Sequence, residues 1–318
     1  MNAPILQTSN DSGQPRLVVI GDYNIDVIVG EVENLPKIGY DSASSDYSIE
    51  PGGSAAIVAL GLSKIGWETT LFANIGNDLF GRYLLETASE SSLHLVNGAA
   101  AGSGSTGLSV AFSQDGDRGF ISVPNPESQW DCLDALLDDV PTHIHVSYHP
   151  YLPGLTEKLE QIIQPLRRAG ATVSLDPVGP GPSPKSPMDV LERLGPVDFL
   201  MINFQEAKDF QLSYPFPVGH FKTIAQTNII KRGERGVSCY QPDFEVEVPV
   251  RKVNAIETTG AGDNFAVGFI TSWLKTNDLK KALLAGNLFG SESTLYRGGI
   301  RVQDDYAELV ASDEDLFR

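Results

Sequence analysis

The chain has 318 residues, of which 41% are hydrophobic and 20% charged. That is ordinary globular composition, long enough for one large domain or two ordinary ones, and it excludes a fibrous or disordered polypeptide. Acidic residues outnumber basic ones 41 to 23, a net charge of −18. Such a surface repels phosphate backbones and anionic lipid, so neither nucleic acid nor a membrane is an expected partner.

Two cysteines, Cys132 and Cys239, are too few for a disulfide framework and fit a reducing cytoplasm, the expected location. The longest apolar stretch, around Ala55 to Leu62, is far shorter than the ~20 residues of a spanning helix. Residues 1–15 contain no Lys or Arg and no apolar run. They read as a disordered tail and not as a signal peptide.

Leu17-Val18-Val19-Ile20 stops at Gly21-Asp22, the pattern of a buried strand with its loop at the C-terminal end. Asp26 to Ile49 mixes polar and apolar residues between Gly30, Pro36 and Gly39, which suggests exposed strands. Pro51-Gly52-Gly53-Ser54 opens an Ala-rich helix that should end at Ile65-Gly66. Thr69–Ala73 reads as a strand and Phe80–Ser91 as a helix. Thr106–Phe112 and Gly119–Val123 flank Asp115-Gly116, a strong hairpin signal. Further strands are expected at His143–Val146, Thr172–Leu175, Phe199–Ile202, Asn228–Ile230 and Gly236–Tyr240. Helices are expected at Leu155–Ala169 and Met188–Leu194, with a long Pro/Gly/Ser loop over Pro177–Pro187.

Strands alternating with helices imply a mostly parallel sheet covered on both faces. The expected organisation is one α/β core, residues 16–26, 51–103 and 126–318, with a small β lid from 27–50 and 104–125.

The sharpest chemical feature is the string from Glu257 to Phe265, Glu-Thr-Thr-Gly-Ala-Gly-Asp-Asn-Phe. Gly260 and Gly262 allow a tight turn, and the apolar run that follows starts a helix there. The turn's N–H groups then form an anion site at the helix's positive end. Asp263 would repel a bound phosphate, but it makes sense as a base taking a proton from an incoming hydroxyl. As a plain alternative, Asp263 could be an ordinary N-cap. No Gly-Lys dipeptide occurs, so there is no Walker A loop, and no Gly-x-Gly-x-x-Gly follows the first strand. A dinucleotide-binding dehydrogenase therefore loses its main support.

With these residues in view, the chain resembles the PfkB (ribokinase-like) family of carbohydrate and nucleoside kinases. Thr258–Gly268 is similar to the family's C-terminal signature. Gly21–Asp26 resembles its first substrate loop, and Pro51-Gly52-Gly53 its di-glycine motif. Asn203-Phe204-Gln205-Glu206 resembles its Asn-x-x-Glu motif, and Lys231–Gly236 the glycine turn near the nucleotide.

The resemblance implies a ribokinase-like fold and transfer of a phosphoryl group from ATP to a hydroxyl of a small sugar or sugar-like substrate. It implies Asp263 as base, with Gly260, Ala261 and Gly262 supplying N–H groups. Asn24, Asp26, Gly52, Gly53 and Ser54 would meet the substrate. Lys231, Gly233, Gly236, Thr258 and Asn287 would lie near the nucleotide. Asn203 and Glu206 would organise Mg²⁺ through water. Glu257 stands where Asp is more usual, in a neighbourhood that binds a monovalent cation in some members, which leaves K⁺ activation open. Ile57 stands where sugar kinases of the family usually have Asn, so the acceptor either lacks a hydroxyl there or bonds elsewhere.

A nucleoside is the alternative acceptor, with Tyr23, Tyr40 or Phe112 stacking on its ring. A non-catalytic nucleotide- or sugar-binding regulator is the lower alternative. A homodimer through the edge of the lid is also open. His143 and His145 share one strand face but lack a ligand cluster, so strand residues are expected, while His149 and Asp176 lie where they could reach the cleft.

Overall fold

The computed structural model describes residues 15–32, 37–99, 104–114, 117–125, 130–149, 152, 154–177, 187–209, 224–300 and 306–317. The tail, the Asp115-Gly116 turn and residues 178–186 of the Pro/Gly/Ser loop lie outside them.

Thirteen strands are present among the described residues: β1 Arg16–Ile20, β2 Asn24–Glu31, β3 Tyr47–Gly52, β4 Glu68–Ala73, β5 His94–Asn97, β6 Leu108–Gln114, β7 Asp117–Val123, β8 His143–Tyr148, β9 Thr172–Pro177, β10 Val197–Asn203, β11 Ala225–Lys231, β12 Val237–Gln241 and β13 Phe244–Val248. The helices are α1 Ser54–Ile65, α2 Leu79–Ser89, α3 Ala135–Asp138, α4 Leu155–Arg168, α5 Pro187–Leu194, α6 Phe204–Asp209, α7 Ala261–Thr276, α8 Leu279–Ser293, α9 Tyr306–Ser312 and α10 Glu314–Phe317.

Nine strands form one sheet in the order β13-β12-β11-β10-β9-β8-β1-β4-β5. From β11 to β5 every neighbour is parallel, and only β12 and β13 run antiparallel, at one edge. The parallel strands read as continuous apolar runs because both faces are covered. Leu17 and Val19 of β1 join the layer under α1, α7 and α8, while Val18 and Ile20 join the layer under α4 and α5. Helix α1 lies between the sheet and α7 and is buried from Ala55 through Ser63. That explains its Ala-rich composition, since small side chains let helices and sheet approach. It ends at Gly66, whose φ of 100° only glycine adopts readily.

The second sheet has four strands in the order β3-β2-β6-β7. Its register sorts side chains between two faces. Val27, Val29, Ile49, Tyr47, Val110, Phe112, Ile121 and Val123 share one face, and Asp26, Glu50, Ser109 and Ser122 share the other. The sheet begins at Asn24, three residues before the expected position, because Asn24 already pairs with Gly52.

Two edge strands, β5 and β13, escaped the sequence reading because they are short and carry polar residues on an exposed edge. Gly236 belongs to the turn before β12, with φ of 78°. No helix among the described residues is long and apolar enough to cross a membrane.

Candidate active site

The parallel strands end on one side of the sheet, where open α/β folds place their ligands. At this side α7 begins. Its N-cap is Gly260, in a left-handed conformation (φ 75°) with no side chain capping the helix. A Cβ on Gly260 would come within 2.7 Å of Gly299 Cα, so the turn tolerates only glycine. Asn264 locks the same turn, its amide donating to Gly260 O and Gly299 O, both at 2.9 Å. Of the expected anion donors, Ala261 N–H is turned to Thr258 O at 3.2 Å. Gly262 lies beside Lys231, whose Nζ is 3.1 Å from where a Gly262 Cβ would stand.

Asp263 occupies the first turn of α7. Burial and the carboxylates of Asp176 and Asp22 push its carboxyl up to about 8, against the pull of Lys231 and a hydrogen bond with Ser54. Lys231, at the end of β11, holds Asp176 of β9 at 2.5 Å. Burial draws the Lys231 ammonium downward, but Asp176, Glu206 and Asp263 outweigh it and hold it above its ordinary value. The result is a desolvated cation among three carboxylates, touching the glycine turn.

The opposite wall is built from β1, β2 and α1. Asp22 accepts from Ala55 N–H and from Asn24 Nδ2, both at 3.1 Å. Gly53 (φ 97°) passes so close to Asp22 that a Cβ would lie 2.8 Å from Asp22 O. Asp26 lays its carboxyl against Gly52, where a Cβ would fall 2.2 Å from it. Burial and the carboxylates of Asp22, Glu257 and Glu50 push Asp26 up to about 7. Glu257 is buried and accepts from Gly298 N–H at 3.2 Å. Asn24, Asp26, Gly52, Gly53 and Ser54 are thus brought together, across from Asp263.

The remaining predicted residues lie along β10, β11 and α8. Asn203 and Glu206 cap each other: Asn203 N–H donates to Glu206 Oε2 at 2.7 Å, and Glu206 N–H to Asn203 Oδ1 at 2.8 Å. That reciprocal cap starts α6. Among the described residues no group of three or more His, Cys, Asp or Glu could hold a metal alone. A cation here fits only as one held largely by water and a ligand's phosphates. Gly233 and Gly236 form the turn after Lys231, closed by Arg232 N–H to Gly236 O at 2.8 Å. Asn287 donates to Val248 O and Pro249 O at 3.1 and 3.2 Å, so both its N–H groups fix the loop after β13.

Several expectations are corrected. Tyr23 is fully buried and donates to Leu84 O, so it cannot stack on a ligand. Phe112 lies on the face of the small sheet opposite Asp26 and covers Gly119. Ile57 packs its Cδ1 against Gly299 and Gly260. His143 and His145 are buried strand residues, as expected, and His149 lies in the field of Asp22. The clamp formed by Ile57, Asn264 and Gly299 escaped the sequence reading, since nothing in the pattern of residue 299 marks it as a neighbour of residue 57.

The family model for "pfkB family carbohydrate kinase" matches residues 14–305. An ATP-dependent ribose-1-phosphate kinase of Halopiger xanaduensis is 26% identical over 287 residues, covering 87% of this chain and 90% of that protein. A probable fructokinase-5 of Arabidopsis thaliana is 25% identical over 315 residues, covering 90% and 93%. The structure of an Arabidopsis thaliana ribokinase complexed with ribose and ATP superposes with a TM-score of 0.76 at 22% identity, covering 96% of this chain and 99% of that one. The signature turn, the nine-stranded sheet and a match over almost the whole length agree: the chain belongs to the pfkB family of carbohydrate kinases.

Proposed function

We propose that the chain transfers the γ-phosphoryl group of ATP to a hydroxyl of a small sugar or sugar-like acceptor. The observation that carries this reading is Asp263 in the first turn of a helix whose uncapped glycine N-terminus adjoins Lys231. In this reading the turn from Gly260 to Gly262 receives the transferring phosphoryl, and Lys231 offsets its charge. Asp263 takes the acceptor's proton. A carboxyl raised to about 8 holds that proton well as it arrives. Most of the acceleration comes from alignment and charge stabilisation. Mg²⁺ bridges the phosphates, with Asn203 and Glu206 organising its waters. Thr258, Gly233, Gly236 and Asn287 shape the nucleotide side. Glu257 is spent on Gly298 N–H through one oxygen, and K⁺ activation is tested by salt exchange.

The acceptor side offers mainly hydrogen-bond acceptors. Asn24 gives its N–H to Asp22 and turns its Oδ1 toward Gly107. Asp26 adds a carboxyl beside Gly52. Such a surface asks for donors, which polyhydroxy compounds supply. The small sheet carries Asp26 and closes as a lid, excluding water from the phosphoryl group. Its other face is apolar and exposed at Tyr47, Ile121 and Val123, which suits a second copy of this chain. Sedimentation of wild type against Ile121→Glu tests that dimer, and a monomeric wild type refutes it.

The deciding experiment is ADP release from Mg-ATP across sugars, sugar acids, polyols and nucleosides, with Asp263→Asn as control. A single strong hit lost in the control supports the reading and separates sugar from nucleoside. Turnover retained in the control sinks the base assignment. ATP binding without turnover across the panel favours a regulator.

A further inference from the structure

A row of buried polar side chains runs beneath the site to Asp176, and apart from Asp176 it has no part in the chemistry described so far. His143, His145 and Ser147 share one face of β8, and Thr172, Ser174 and Asp176 stand opposite them on β9. His143, His145, Ser147, Ser174 and Asp176 are buried under the layer of α1 and α7.

The hydrogen-bond directions along this row are assigned from one anchor. Thr172 Oγ1 lies 3.2 Å from Thr142 O, to which a hydroxyl can only donate, and with its hydrogen placed there it accepts from His143. His143 Nδ1, at 2.8 Å, therefore carries a hydrogen. Burial holds both imidazoles below their ordinary range, hence neutral. His143 Nε2 is then bare and accepts from the Ser174 hydroxyl at 2.8 Å. Ser174 Oγ in turn accepts from His145 Nδ1–H, also at 2.8 Å. This leaves His145 Nε2 without a hydrogen.

Neither His145 Nε2 nor Ser147 Oγ has a hydrogen-bond partner among the described residues, and both atoms are out of contact with solvent. They belong to residues two apart on one strand face, roughly 6.6 Å along the strand. Leaving two such groups unpaired is costly, whereas one internal water can serve both. It donates one hydrogen bond to His145 Nε2 and accepts one from the Ser147 hydroxyl. Its second hydrogen is then available to Asp176, the register partner of Ser147 and the ion-pair partner of Lys231.

The geometry points to His145 and Ser147 as the holders of one internal water that ties the buried row to the Asp176–Lys231 pair. The row thereby positions Lys231 against Gly262. His145 and Ser147 are positioning residues, acting on the anion turn only through that pair. The water and the tautomer stand on the fold alone, and only the effect on ATP rests on the phosphotransferase reading.

Long-range ¹H–¹⁵N spectra of the wild-type histidines test the directions directly, with His145 assigned through His145→Phe. His143 and His145 are both expected as the neutral Nδ1–H form near neutral pH, with the His145 signals displaced in Ser147→Ala. An Nε2–H tautomer or an imidazolium at His145 overturns the proposal. A crystal structure is expected to show a water within hydrogen-bond distance of His145 Nε2 and Ser147 Oγ. Direct contact between the two atoms, or a dry gap, overturns it. Calorimetric titration is expected to show Mg-ATP binding weakened about fivefold in Ser147→Ala at unchanged melting temperature. Unchanged affinity removes the positioning role. If wild type fails to bind Mg-ATP, the phosphotransferase reading falls while the spectra and the water still decide the buried row.

Discussion

Ile57 is a buttress of the glycine turn: a Cβ on Gly299 would come within 2.6 Å of its Cδ1, and one on Gly260 within 3.4 Å. The residue is 3% exposed. Substituting Ile57→Asn puts an amide into this apolar contact. Loss of the packed side chain and burial of an unpaired amide together destabilise by about 2–4 kcal/mol. Denaturant unfolding should show that loss, and turnover should fall at least tenfold as the Gly260 turn loosens. Ile57→Val, which keeps most of the contact, should cost about 1 kcal/mol and leave turnover near wild type. An Ile57→Asn protein with full stability would contradict the buttress.

Gly262 offers a cleaner separation of function from fold. Its backbone is not left-handed, and a Cβ would meet only the flexible end of Lys231, 3.1 Å from Nζ. Gly262→Ala should therefore change the melting temperature less than Gly260→Ala does, since alanine favours the helix by up to ~1 kcal/mol and offsets part of the strain placed on the buried Lys231–Asp176 pair. Displaced Lys231 no longer supports the anion turn, so KM for Mg-ATP should rise and kcat should fall, together about tenfold or more. Gly260→Ala should behave differently, losing stability as well, because its φ is 75° and its Cβ would strike the Gly299 backbone. Steady-state kinetics beside thermal melts distinguish the two variants.

The contrast between these glycines shows what was legible in the sequence. Gly260-Ala261-Gly262-Asp263 before an apolar run announces a glycine turn opening a helix because the requirement is local: the turn residues and the apolar run stand side by side in the chain. The central strands were legible for the same reason, since burial on both faces writes a continuous apolar run such as Leu17–Ile20. Contacts closed across the chain were not. Residue 57 meets residue 299 only after the sheet is assembled. Lys231 meets Asp176 because β11 and β9 flank β10. Tyr23 illustrates the converse error. An aromatic between two strands beside the cleft looks like a stacking platform, but Tyr23, in the loop from β1 to β2, is buried and turned inward to Leu84 O. Asn203-x-x-Glu206 gave its spacing correctly while hiding that the two residues cap each other.

The titration of Asp263 gives a pH signature in both activity and stability. The carboxyl must be ionised to accept a proton, and it is pushed up to about 8 from an ordinary 3.8. Activity of the free enzyme should rise with pH through that region and fall on the acid side. For stability, a folded value raised above the unfolded one favours folding while the group stays protonated. That contribution is fully present below pH 3.8 and is lost as pH rises through about 8. Asp263→Asn removes the ionisation and escapes the loss. Its melting temperature should match wild type below about pH 4, exceed it increasingly up to about pH 8, and show no further gain above that. A constant difference across that range would show that Asp263 is not raised.

Asn203 and Glu206 can be tested as a cap and as metal organisers separately. Asn203→Ala removes the acceptor for Glu206 N–H, a loss of about 1 kcal/mol in unfolding free energy. Glu206→Gln keeps a carbonyl oxygen that can accept from Asn203 N–H, so the helix start survives and stability should stay within about 0.5 kcal/mol. What Glu206→Gln removes is the charge that faces Lys231 and any hydrated cation. The Mg²⁺ concentration for half-maximal turnover should therefore rise about tenfold, with unfolding unchanged. If both variants shift stability and neither shifts the Mg²⁺ requirement, the pair serves only to start α6. A Glu206→Gln protein that is stable but demands more Mg²⁺ places the metal beside Glu206.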